Sequence, residues 1–108
     1  MKANIQNWKN YCLYGIHFSE DYWHVKIYVY CMNGSDKGAF YELLFKDCNM
    51  ESVDVKGSLL DLQIVEFNQH CNISGGYDII ISFSEDNKKL LKLSCSDYEI
   101  TKSGKPWG

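Results

Sequence analysis

The ten residues from Trp23 to Met32, WHVKIYVYCM, decide the fold class. Trp23, Val25, Ile27, Val29 and Cys31 alternate with His24, Lys26, Tyr28, Tyr30 and Met32. A period of two is that of a β-strand with one buried face. The opposite face carries two tyrosines and a methionine beside a histidine and a lysine. It reads as a surface for contact as well as for solvent. The run NGSDKG at 33–38 is a turn signal. Residues 39–47 return as a strand with Tyr41, Leu43 and Phe45 inward, so a hairpin is expected.

Similar patterns fill the rest of the chain. Residues 4–14 admit two readings. Ile5, Trp8 and Cys12 recur at helical spacing behind a possible Asn4 cap. Asn7 and Asn10 are poor helix formers, and residues 11–18 also read as a strand with Leu13 and Gly15 on one face. Residues 51–67 read as a hairpin turning at Gly57-Ser58, with Val55 opposite Leu60 and Val53 opposite Leu62. That register sets Asp54 against Asp61, a like-charge pair that opposes it. A helix over 59–67, with Ser58 and Asp61 as its capping box, competes; the β-branched Ile64-Val65 pair favours strand. Residues 68–76 are a loop ending in Gly75-Gly76. Tyr77, Ile79, Ile81 and Phe83 alternate with polar and apolar partners, and pairing Glu85 with Lys89 aligns Phe83 with Leu91, Ile81 with Leu93 and Ile79 with Cys95. Residues 98–102 form a last strand and 103–108 a tail. The expectation is one mainly β domain over 1–108, an antiparallel sheet curled into a sandwich or open barrel, with a short N-terminal helix as an option.

Composition narrows the function. The 108 residues make one domain, and 45% hydrophobic content suffices for a core. All eleven basic residues are lysines and the net charge is −3, so sequence-specific nucleic-acid binding is not expected. No stretch reaches the roughly 18 apolar residues of a membrane span. The start, MKANIQNWKN, lacks the apolar run of a signal peptide, so a cytoplasmic location is expected. Five cysteines, Cys12, Cys31, Cys48, Cys71 and Cys95, form no C-x-x-C pair; they are expected to be reduced and structural.

Catalytic signals are missing from the sequence. His17, His24 and His70 do not stand at metal-ligand spacing, and no cofactor is expected. There is no G-x-S-x-G elbow, phosphate loop or dinucleotide fingerprint. Cys71 lacks a setting that would activate its thiol. Asn72-Ile73-Ser74 is a glycosylation sequon without meaning in a cytoplasmic protein. The charges, however, are uneven. Residues 39–87 carry nine acids against two lysines, while 88–108 carry five lysines against two acids. Either the fold mixes these signs in space, or Asp47, Glu51, Asp54, Asp61 and Glu66 build an acidic surface that steers a basic partner. Sixteen aromatics add a second option: Tyr28, Tyr30 and Phe40 share the outer face of the first hairpin, either as anchors for a partner or as a layer covered by Ile5 and Trp8. Phe45, Phe67, Phe83 and Trp23 are assigned to the core.

A small, acidic, aromatic-rich chain with the acids of 47–66 and the tyrosines of an outward strand face resembles, in general character, small bacterial toxin-immunity proteins. No motif carries the resemblance, so it transfers no family residue. It implies a non-enzymatic antitoxin that occludes a basic toxin, with Asp47, Glu51, Asp54, Asp61, Glu66, Tyr28 and Tyr30 as contact residues. The alternative is a small-molecule-binding β-barrel carrier or a minor enzyme, with aromatics lining a cavity and His24 or His70 orienting the ligand.

Overall fold

A computed structural model describes residues 5, 7–19, 24–35, 37–49, 53–59, 62–86 and 88–103. A 3-10 turn, Trp8–Asn10, leads into β1 (Tyr11–Phe18). Then come β2 (Val25–Cys31), β3 (Phe40–Lys46), β4 (Asp54–Lys56), β5 (Glu66–Cys71), β6 (Tyr77–Ser82), β7 (Leu90–Cys95) and β8 (Asp97–Ser103). They form two four-stranded antiparallel sheets, ordered β1-β2-β3-β8 and β4-β7-β6-β5 and not closed into a barrel. The mainly β expectation holds, and the N-terminal helix reduces to the single 3-10 turn.

One core lies between the sheets. Val25, Ile27 and Val29 of β2 and Leu43 and Phe45 of β3 meet Ile79 and Ile81 of β6 and Leu91 and Leu93 of β7, all essentially without exposure. Alternation along each strand sends these residues inward and their neighbours outward. The β2–β3 hairpin follows the expected parity, with Val29 opposite Tyr41 and Ile27 opposite Leu43. Of the four rings assigned to the core, Phe45 and Phe83 are buried and Phe67 is partly buried; Trp23 lies outside the described residues.

Besides the loop expected over 68–76, whose residues 68–71 belong to β5 and pair with β6, three local expectations are corrected. Leu13 and Gly15 do not share a face. Leu13 sits opposite Val29 and Gly15 opposite Tyr28, so a bulge absorbs Tyr14 and flips the parity of the strand. The β6–β7 hairpin keeps its faces, but its register differs by two residues: Ile81 faces Leu91, Ile79 faces Leu93 and Tyr77 faces Cys95. The reason is local. Ser84 Oγ donates to Asp86 Oδ1 at 2.7 Å and accepts from the Lys89 N–H at 3.1 Å, and these bonds hold a longer loop than the sequence suggested. The third correction is larger. β4 does not fold back on residues 59–67 but pairs with β7, with Asp54 opposite Lys92 and Val55 opposite Leu91. Of the expected partners, Leu60 and Asp61 lie outside the described residues, and the Leu62 carbonyl accepts from the Leu13 N–H of β1.

The sheets are joined at corners. Beyond β3 the pairing is bulged at Asp47: the Ser96 N–H donates to the Lys46 carbonyl at 2.9 Å and the Asn49 N–H to the Ser94 carbonyl at 3.0 Å. Residues 47–49 therefore leave β3 alongside the passage from β7 to β8. On the other side, the Leu13 N–H donates to Leu62 and the Ile64 N–H to Tyr11, at 3.0 and 2.9 Å, before β5 joins β6. Strands that bend from one sheet into the next make such corners.

Candidate functional site

The first corner, together with the β5–β6 turn, walls a cleft of about 600 Å³. It is lined by Asp47 and Asn49, by residues 71–74 with Gly76 and Asp78, and by Ser94, Cys95 and Ser96. Asp47 ends the straight run of β3 in the left-handed conformation, φ 51°, which suits the short polar side chain of Asp better than most. Its N–H donates to His24 Nδ1 at 3.2 Å, and its Oδ2 accepts from Ser96 Oγ at 3.1 Å. The imidazole and the hydroxyl thus hold the bend.

Asn72 organises the turn on the far side. Its Oδ1 accepts from the N–H groups of Ser74 and Gly76, both at 3.0 Å. Its Nδ2 donates to Asp78 Oδ1 at 3.3 Å, and Ser94 Oγ donates to the same oxygen at 2.7 Å. These two donors, with the charges of Lys92 and His70 beyond them, hold the Asp78 carboxyl below its usual range. The amide of the sequon asparagine is therefore part of the turn. Ile73, at its tip, is fully exposed.

The chemistry of this arrangement is that of an acceptor. Two carboxylates line the cleft and no lysine or aromatic ring does so among the described residues. Ser94 gives its hydrogen to Asp78, and His70 sits opposite Asp78 on the neighbouring strand, so the imidazole does not stand between serine and carboxylate as a nucleophilic triad requires. Burial pushes the Cys48 thiol up to about 11 and the Cys95 thiol up to about 12, which makes both poor nucleophiles at neutral pH. No group of three or more His, Cys, Asp or Glu among the described residues could hold a metal ion. No described helix is long and apolar enough to cross a membrane.

The residues expected to contact a partner are dispersed. Asp47 is in the cleft. Asp54 and Glu66 are exposed, on β4 and β5, the two edges of the second sheet and roughly 14 Å apart at ordinary strand spacing. Lys92 stands opposite Asp54, and the row from Glu66 through Ser82 and Leu90 ends at Lys56, so lysines interleave with the acids here. Glu51 and Asp61 lie outside the described residues. Tyr28 and Tyr30 are on the other side of the core, on the outer face of the first sheet. There Tyr14 meets Tyr30 and Phe40 edge to face, at 5.9 and 5.2 Å between centroids. Tyr28 bonds Glu42, which also pairs with Lys26 at 3.7 Å; burial first, then Glu42, raises the phenol's pKa.

Ile5 and Trp8 do not cover that face. Ile5 joins the core, and Trp8 stacks on Phe67 of β5 with centroids 4.3 Å apart and planes within 8°. The half-buried state of the outer rings comes from their contacts with one another. Alternation with the inward Leu13 places Tyr14 in this cluster, and the bulge after it brings Gly15 opposite the outward Tyr28.

Sequence reasoning missed Asp78, Ser94 and Ser96 as a group. The expected β6–β7 register sets Asp78 against Ser96 rather than Ser94, and nothing in the pattern joins Asp47 to Ser96. The signal that was present is Asn72-Ile73-Ser74-Gly75-Gly76, a turn whose polar side chain bonds its own backbone. No family model matches the chain, and neither a curated protein nor a solved structure matches it.

Proposed function

We propose that this is a non-enzymatic binding domain that docks a basic protein partner through the cleft and the Ile73 tip. The carrying observation is the cleft itself: carboxylates on two walls, no basic side chain in the lining among the described residues, and a fully exposed isoleucine at the rim. A lysine or arginine of the partner would enter the cleft, and Ile73 would exclude water beside it, the usual division between charged and apolar anchors. Neutralising a toxin by occlusion, the immunity-protein reading, is the finer form of this function. It agrees with the acidic balance of the chain and asks no chemistry of the domain.

The carrier reading has one observation in its favour, since about 600 Å³ falls within the range of small-molecule pockets. Eight of its eleven lining residues are Asp, Asn, Ser or Gly, with Cys71, Cys95 and Ile73 the rest, whereas such pockets are rich in aromatic side chains; the aromatics here sit in the core and on the outer face instead.

The test is association with a basic protein captured from the source cell, measured across a salt series. Asp47→Asn should slow association and flatten its salt dependence, because exposed charges are screened over about 10 Å at 0.1 M. Ile73→Ser, which touches no core residue, should speed dissociation with the fold intact. If both variants bind like the parent chain at every salt concentration, the cleft is not the docking site.

A further inference from the structure

Cys48 and Cys95 lie opposite each other across the corner. The Ser96 N–H donates to the Lys46 carbonyl at 2.9 Å and the Asn49 N–H to the Ser94 carbonyl at 3.0 Å. Between these two bonds, Asp47 in its left-handed conformation and Cys48 stand together against the single Cys95, which makes the corner a bulge. Opposed residues on paired antiparallel strands have Cα atoms about 4.5 to 5.5 Å apart. Disulfides span Cα separations of about 4.4–6.8 Å. Both side chains point into the core, with 1% and 4% exposure, so they lie on the same side of the ribbon. Both are free thiols, and Cys48 is near enough to Cys95 to raise the energy of its thiolate.

We propose that Cys48 and Cys95 are an oxidation site, at which a low-molecular-weight disulfide joins them into one intramolecular disulfide that staples the corner walling the cleft. Cys48 Sγ donates to the Phe45 carbonyl at 3.4 Å, a long bond that a turn about Cα–Cβ replaces with the bond to Cys95. The exchange is balanced. The thiolate of one cysteine attacks oxidised glutathione, forms a mixed disulfide and releases one glutathione thiolate. The second cysteine gives up its proton and displaces the other glutathione. Two electrons pass from the cysteine pair to glutathione, and the two released thiolates take up the two protons. A glutathione adduct does not fit in the core, so the reaction passes through a transient opening of the corner and is slow in the closed fold.

The experiment is exposure of the reduced protein to oxidised glutathione, with urea well below the unfolding midpoint to promote local opening. The product is then denatured, alkylated without reductant and mapped by mass spectrometry. The expected product has lost two of its five reactive thiols, with the Cys48 peptide joined to the Cys95 peptide. Its unfolding midpoint lies at higher denaturant than that of the reduced protein and returns on addition of dithiothreitol. Cys71→Ser gives the same product; Cys48→Ala does not. A bond between any other two cysteines, mixed disulfides alone, five thiols still free, or a midpoint lowered by oxidation would each overturn the proposal. The mapping uses the unmutated chain, so a variant that fails to fold does not remove the test.

Discussion

A methyl group on Gly76 would sit 2.2 Å from the carbonyl oxygen of Cys95 and 3.1 Å from Ser96 Cα. The β5–β6 turn presses its backbone against the backbone of the β7–β8 corner, and only glycine permits the approach. Both atoms belong to main chain, so neither can swing aside. Gly76→Ala should therefore cost about 1 to 3 kcal/mol, the range of overpacking, and open the cleft between turn and corner. Denaturant unfolding checks the cost. A variant as stable as the parent would mean that turn and corner are not in contact.

Ile81 has no exposure, with Phe67 opposite on β5 and Leu91 opposite on β7. Ile81→Ala removes buried methyl groups and leaves a cavity among rigid neighbours. About 2 to 5 kcal/mol is expected from chemical denaturation. A cost below about 1 kcal/mol is the signature of a side chain that is not in the core.

The inward face of β6 was legible because parity survives a register error. A shift of two residues leaves every side chain on its own face, and the slip from Phe83–Leu91 to Ile81–Leu91 was of that kind. The bulge at Tyr14 was not legible, since an odd insertion changes parity without changing composition. The partner of β4 was not legible either. Three residues, Asp54–Lys56, carry too short a pattern to choose between a neighbour in sequence and a strand far along the chain. The sequence did hold a warning: Asp54 against Asp61 is a like-charge pair. The structure answers it by placing Lys92 opposite Asp54. The cleft depends on the first corner, on the β5–β6 turn and on the β6–β7 register, so it was hidden although Asp47 itself was singled out.

That pairing is open to direct test. Lys92 and Asp54 are both exposed, so their attraction contributes little, within the usual range of about 0 to 1 kcal/mol for surface pairs. Lys92→Glu converts it to a like-charge pair and should destabilise by a fraction of a kcal/mol up to about 1. Adding Asp54→Lys to that variant should restore stability. The recovery, read as a double-mutant cycle, should fade in high salt. Were the two changes simply additive, β4 would not lie against β7 in this register.

Asp78 should make the fold sensitive to acid. Ser94, Asn72 and then the charges of Lys92 and His70 favour its ionised form and lower its pKa in the folded state. A depressed carboxyl contributes stability above its unfolded pKa of about 3.9, and that contribution disappears as pH falls through the lower folded value. Asp78→Asn removes the titration while leaving an amide oxygen that can still accept from Ser94. The variant should therefore lose less stability than the parent chain between about pH 6 and about pH 2, whatever its absolute stability at neutral pH. Some slope should persist, because Asp86 is also held low by Ser84 Oγ and the Lys88 N–H. Denaturant midpoints across that pH series measure the difference. Parallel curves for the two proteins would show that the Asp78 carboxyl gains nothing from its partners on folding, and the wall it shares with Ser94 and Asn72 would then have to be held by backbone bonds alone.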